Sequence, residues 1–188
     1  ESYGYDFYSY DKKILKDLPI NFSKIQYALN LLQTDKYDYV MYIDADAIIH
    51  SMDYDIRHLI KTYMTGLKSI MFGEDCFSSK DCSKPGRINS GVFVVKNNYM
   101  GNGILRLWRD SSRGDCSKYV NIFPNCQLVF TNCVFPKLFM GISIIPFNLM
   151  NGFGDTLFIK HAMAMDDINR VSEIKKLYNS MDDRIRVF

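Results

Sequence analysis

Hydrophobic spacing along the chain switches between a helical and an extended period. In residues 23–32, SKIQYALNLL, the residues Ile25, Ala28, Leu29 and Leu32 fall on one helical stripe. Ser23 with Gln26 three residues later has the form of a capping box, which predicts that Ser23 opens this helix. Tyr39–Ile43 is an unbroken apolar run of β-branched and aromatic character, and predicts a strand buried on both faces. A helix near Asp55–Thr65 carries Ile56, Leu59, Ile60, Tyr63 and Met64 on one face, with Gly66 to stop it. Further strands are predicted at Ser69–Phe72, Gly91–Val95, Ile142–Ile145 and Thr156–Lys160. Further helices are predicted at Ile104–Ser111, at Gln127–Phe135 with Pro136 ending it, and at Asp167–Tyr178. The polar stretches Cys76–Arg87, Arg113–Pro124 and Asn148–Asp155 read as loops. Strands alternating with helices predict an α/β protein, an α/β/α sandwich around a mainly parallel central sheet.

The Tyr39–Ile43 strand stops at Asp44-Ala45-Asp46, two carboxylates one residue apart. In a strand, residues i and i+2 point the same way, and two bare carboxylates side by side repel unless a cation lies between them. That chemistry suits a hard divalent metal. A second triplet, Asp53-Tyr54-Asp55, reads as the polar start of a helix instead. Ligands in open α/β sheets sit beyond the carboxyl ends of strands. Two other predicted strand ends carry polar groups, Glu74-Asp75 and His161. A lone histidine there is usually a surface or hydrogen-bonded core residue. Beside two carboxylates it becomes a third ligand, and imidazole tilts the set toward Mn²⁺ over Mg²⁺. Asn89-Ser90-Gly91 precedes a strand: Asn89 offers donor and acceptor, and Gly91 permits close backbone approach, with a plain turn as the alternative.

Composition narrows the function classes. The 188 residues are 47% hydrophobic, enough for one domain with a sizeable core. The net charge of +2 comes from mixed charges with no basic stripe, which argues against a nucleic-acid partner. No apolar run reaches the length of a membrane span, and no signal peptide is visible. The opening residues read as the middle of a fold, and an upstream first strand is expected to be missing. Of the five cysteines, Cys126 and Cys133 read as core thiols, and Cys76 and Cys82 flank a loop and are placed to pair if oxidised. Reduced thiols in the cytoplasm are the default expectation.

These segments, in this order, resemble a GT-A-fold, DXD-motif nucleotide-sugar glycosyltransferase, similar to the metal-dependent galactosyl-, mannosyl- and xylosyltransferases. Tyr3-Gly4-Tyr5-Asp6 resembles the family's segment after its first strand, and Ser23-Lys24-Ile25 its helix start. Tyr42-Ile43-Asp44-Ala45-Asp46-Ala47 resembles the DXD core, and Asn89-Ser90-Gly91-Val92-Phe93 the following strand motif. Phe147-Asn148 and Gly154-Asp155 before Ile159-Lys160-His161 resemble the C-terminal element. The resemblance covers nearly the whole chain and implies a Rossmann-like GT-A domain. It further implies a UDP-sugar donor, a carbohydrate or glycoprotein acceptor, and Mn²⁺ or Mg²⁺ held by Asp44, Asp46 and His161. On the same footing Asn89, Ser90, Gly91, Asn148, Lys24 and Tyr5 would bind substrate, and Gln127 would face the sugar. The chain departs from the family where an acidic D-Q-D or E-Q-D segment is usual: here it reads Asn125-Cys126-Gln127. If configuration inverts, a carboxylate must act as base, and Asp155 and Asp75 rank first among candidates that also include Glu74 and Asp115. A Golgi-lumen catalytic domain freed of its anchor is the alternative to a cytoplasmic one. The rival functions are a phosphatase of the haloacid-dehalogenase type, with Asp44 as nucleophile, and a non-catalytic nucleotide-sugar-binding domain.

Overall fold

A computed structural model of the chain describes residues 4–51, 53–75, 88–152, 157–162 and 167–179. After a single 3-10 turn come α1 (Ser23–Leu32), β1 (Tyr39–Ile43), β2 (Ala47–Ile49), α2 (Ile56–Tyr63), β3 (Ile70–Glu74) and β4 (Ile88–Lys96). Next come α3 (Tyr99–Ser111), α4 (Cys126–Val129), α5 (Phe135–Leu138), β5 (Ile142–Ile145), α6 (Phe147–Met150), β6 (Ile159–His161) and α7 (Asp167–Asn179).

The main sheet has the order β1-β4-β3-β5. β4 runs antiparallel to both β1 and β3, and β3 runs parallel to β5. β1, β3 and β5 therefore point one way and β4 alone runs against them, a mixed sheet in which most strands share one direction. Apolar side chains fill both faces, as the uninterrupted apolar runs require. Phe93 and Val95 of β4 join Ile70 and Phe72 of β3 in a core beneath α1 and α3. Val92 and Val94 turn the other way and pack with Met71, α2, α6 and β6. Alternation along each strand thus feeds two cores, one on each face, which is the expected α/β/α sandwich.

Several expectations are corrected. β1 is not buried on both faces: only Val40 is buried and its neighbours are half-buried, because β4 is its one strand partner among the described residues. Ser23 does not cap α1. The preceding 3-10 turn carries helical geometry into it, Phe22 occupies the cap position, and the Ser23 hydroxyl accepts from the Ile14 amide at 3.2 Å. Pro136 does not end the helix after Gln127. A π-helical turn over Phe130–Val134 loosens the ladder, and Pro136 falls in the first turn of α5, where its missing N–H removes no bond.

Trp108 of α3 is fully buried against Phe72, Phe93 and Phe130, with ring centroids 4.9–5.9 Å away. Its indole N–H donates to the Cys126 carbonyl at 2.7 Å, which pins the start of α4 to the core. Truncating such a residue typically costs about 3–5 kcal/mol. Cys133 is not a free thiol: it forms a disulfide with Cys116, Cα–Cα 6.5 Å, tying the loop after α3 to the π turn. Cys126 remains a buried thiol, as expected. Cys76 and Cys82 lie outside the described residues. Among the described residues no helix is long and apolar enough to cross a membrane.

Candidate functional site

Where β1 ends, the Asp44 amide makes one more cross-strand bond, to the Gly91 carbonyl at 2.7 Å. The chain then turns, with the Ala47 amide returning to the Asp44 carbonyl at 3.0 Å. The two carboxylates therefore converge through a tight turn rather than through strand alternation. β2 follows at once and pairs with β6 in the register Ala47↔His161, while the Asp46 carbonyl accepts from the Ala162 amide at 2.8 Å. That register brings a residue more than a hundred positions away beside Asp46. His161 Nε2 lies 3.0 Å from Asp46 Oδ1.

Asp44, Asp46 and His161 each offer a ligand atom, and these atoms lie within 4.8 Å of one another. The donor set fits a divalent ion, with two hard carboxylate oxygens and one borderline nitrogen. The pocket is built to hold the ring. A Cβ placed on Gly91 would stand 2.1 Å from His161 Cε1, so only glycine leaves room there. Behind the ring, His161 Nδ1 is 3.3 Å from Asn151 Oδ1, and Asn151 Nδ2 donates to the Glu74 carbonyl at 3.4 Å.

Two cationic side chains flank the carboxylates. Lys24, buried in the first turn of α1, donates to both oxygens of Asp44 at 3.0 and 3.2 Å and to the Ser90 carbonyl at 3.0 Å. Burial disfavours its charged form, and the Asp44 carboxylate beside it more than offsets this and raises its pKa above the ordinary lysine value. Burial pushes the Cys126 thiol up as well, so it is neutral near pH 7 and Asp44 is the partner that holds the charge. The Tyr42 hydroxyl also donates to Asp44 Oδ1, at 2.6 Å. Burial and then the Asp44 charge raise the pKa of Tyr42 well above the ordinary phenol value. Arg170 of α7 places its Nε 3.4 Å from Asp46 Oδ2. Burial pushes the Asp46 carboxyl up, but the His161 contact and the Arg170 charge outweigh it and hold it below the usual range.

Gln127, in α4, joins the other predicted residues. Its Oε1 accepts from the Ser90 amide at 3.0 Å, and its Nε2 donates to Asp75 Oδ2 at 2.8 Å. Asn89, Ser90 and Gly91 form the first half of β4 rather than a turn, and Asn89 Oδ1 accepts from the Gly91 amide at 2.8 Å. Lys24, Asp44, Asp46, Asp75, Ser90, Gly91, Gln127 and His161 are thus linked through one set of contacts. Tyr5 is directed elsewhere: its hydroxyl donates to Asp55 at 2.5 Å, at the N-terminus of α2. Asn148 is exposed on the short α6, with its carbonyl accepting from the Leu157 amide. Asp155 lies outside the described residues. Asn151 and Arg170 carry no distinguishing signal in the sequence. Asn151 sits in the Asn- and Gly-rich stretch that drew attention to Asn148, and only the turn of α6 selects it. Arg170 lies on a polar helix with no distinguishing spacing.

No protein-family model matches the chain, and no curated protein matches it in sequence. Solved structures do match. One is a glycosyltransferase involved in the glycosylation of the major capsid of PBCV-1, with a TM-score of 0.71 and 16% identity over 92% of this chain and 84% of that one. The Streptococcus pneumoniae TIGR4 glycosyltransferase GlyE overlaps 68% of this chain and 28% of its own, with a TM-score of 0.45 and 17% identity, too loosely to carry an argument. The chain therefore shares the fold of that PBCV-1 glycosyltransferase, and the expected α/β/α architecture is borne out.

Proposed function

We propose that this chain is a metal-dependent glycosyltransferase that moves a sugar from a UDP-sugar to a carbohydrate or glycoprotein acceptor. One observation carries the reading: in a glycosyltransferase fold, the carboxylate pair that ends β1 meets the histidine that ends β6. Asp44, Asp46 and His161 would hold Mn²⁺ or Mg²⁺. A divalent ion bound there supplies charge neutralisation for the diphosphate leaving group.

The chain's own residues do the rest. Lys24 balances the charge of Asp44, and Arg170 places a further positive charge beside Asp46, on the side where a diphosphate would be drawn. Asn89, Ser90 and Gly91 form the wall against which the sugar lies. Gln127 orients Asp75 through its amide, which makes Asp75 the described carboxylate best held to accept a proton from an acceptor hydroxyl, should the sugar's configuration invert. Asp155 keeps its candidacy as an alternative base. The Cys116–Cys133 bridge favours the Golgi-lumen alternative over a cytoplasmic one.

The test is Asp46→Asn, assayed by calorimetry with UDP and Mn²⁺ and by turnover across UDP-sugars. The variant is expected to lose most metal-dependent turnover and most of the manganese-dependent gain in UDP affinity, and His161→Ala to lose less. Unchanged UDP affinity in Asp46→Asn would sink the reading. UDP-sugar binding without turnover on any acceptor would leave a binding domain, and hydrolysis of an aryl phosphate without nucleotide sugar would favour the phosphatase.

A further inference from the structure

Asn151 is fully buried between β3 and β6, at the end of α6. Its backbone is fixed from both sides. Its amide donates to the Phe147 carbonyl at 3.0 Å, and the next residue, Gly152, bridges to Lys160 and accepts from the His161 amide at 3.4 Å. The side chain occupies space that another residue would deny it. A Cβ on Gly73 would stand 2.1 Å from Asn151 Nδ2. The strand register also shifts between Phe72 and Gly73, a bulge that sets the Glu74 carbonyl against the amide.

The orientation of that amide follows from its partners. A carbonyl only accepts, so Asn151 turns its NH₂ to Glu74 and its Oδ1 to His161 Nδ1. An amide oxygen also only accepts, so this contact is a hydrogen bond only when His161 carries a proton on Nδ1. On its other side the ring places Nε2 3.0 Å from Asp46 Oδ1, a second acceptor, so a proton or a cation must stand there as well. Two acceptors at that distance repel unless a positive charge stands between or beside them.

We propose that Asn151 is a positioning residue that holds His161 as its Nδ1–H tautomer, so that Nε2 presents its lone pair to a divalent cation shared with Asp46. This rests on the metal reading given above. Outer partners of this kind set the ring's orientation and tautomer at metal sites, and removing one typically costs about 10–100-fold in metal affinity.

The experiment combines ¹⁵N-histidine NMR on the Mg²⁺-loaded protein with Mn²⁺ calorimetry. The chain has three histidines, and His161 is assigned by its loss in His161→Gln. The wild type is expected to show a protonated Nδ1 and a bare Nε2 at His161. Asn151→Leu is expected to populate the Nε2–H tautomer and to weaken Mn²⁺ binding by about 10–100-fold. Asn151→Asp keeps an acceptor oxygen and is expected to restore the wild-type tautomer. A wild-type His161 protonated on Nε2 with Mg²⁺ bound overturns the proposal, and this measurement stands even if Asn151→Leu fails to fold. So does a folded Asn151→Leu with wild-type Mn²⁺ affinity and tautomer. A wild type that binds no Mn²⁺ at all would instead remove the metal site on which the proposal is built.

Discussion

The Lys24 ammonium lies 3.0 Å from Asp44 Oδ1, and it is buried whereas the carboxylate is 31% exposed. The first carboxylate of the pair is therefore already matched in charge, while the second, Asp46, faces His161 and Arg170. Any cation drawn to the pair meets Asp44 in competition with a fixed lysine. Lys24→Met should strengthen Mn²⁺ binding, because a like charge within a few ångströms of the ligands is gone. The same change leaves Asp44 and the Ser90 carbonyl short of a donor, so it should destabilise the fold by about 1–3 kcal/mol. Calorimetry and urea unfolding together check the opposed signs. Weaker Mn²⁺ binding in a folded Lys24→Met would show that the lysine supports the site rather than competing for it.

Gly91→Ala tests how closely the β4 backbone defines the histidine's position. The added methyl would meet His161 Cε1 at 2.1 Å and Asn89 Oδ1 at 3.0 Å. The ring is buried and contacted at both nitrogens, so it has little room to withdraw. Overpacking of this kind typically costs about 1–3 kcal/mol. Mn²⁺ affinity should fall by about 10-fold or more, by analogy with other displaced ligand orientations. Wild-type affinity in this variant would mean that His161 does not ligate.

The Cys116–Cys133 bridge closes a loop with a sequence separation of 17. In the chain-entropy picture, a crosslink of that span stabilises by about 3 kcal/mol. Cys116→Ser with Cys133→Ser should lower the urea midpoint accordingly, and the wild type should lose the same increment on reduction. Equal midpoints for the oxidised and reduced wild type would remove the bridge from the account.

Asp55 caps α2 by accepting from the Arg57 amide at 2.8 Å, and it also bonds the Arg57 guanidinium and the Tyr5 hydroxyl. The Arg57 bond foremost holds its carboxyl down at about 2, against about 3.9 for an unfolded aspartate. A depressed folded pKa gives stability that is fully present above the unfolded value and is lost as pH falls through the folded one. Asp55→Asn keeps an accepting oxygen at the cap but gives up the charge. The stability gap between wild type and Asp55→Asn should therefore be constant above about pH 5 and close progressively between about pH 5 and about pH 1. Thermal melts across that range check it, and a gap that is as large at about pH 2 as at neutral pH would refute the assignment.

Much of the architecture was legible in local pattern. The stripe Ile25, Ala28, Leu29 and Leu32 marked α1 at its observed bounds, and the run Ile142–Ile145 marked β5, because burial against one partner layer imposes its period on the residues themselves. Asp44, Asp46 and His161 were legible as a group because strand ends in this fold class face one side. The capping box failed at Ser23, since a preceding turn that continues the helix leaves no sign in four residues. The edge position of β1 was invisible for a similar reason: an apolar pentapeptide does not say how many neighbours it has.

By itself, then, the sequence determined most of the helices and strands, though not β2 or α6, and where the carboxylates and the imidazole stand along the chain, since these follow from side-chain chemistry at short range. Tertiary structure decided the rest. It chose Asn151 over Asn148, brought Arg170 to Asp46, paired Cys116 with Cys133, and set Gly73 and Gly91 as the openings for Asn151 and His161. Each of these depends on the register between segments tens of residues apart, and register is settled by the packing of whole layers, which no local window contains.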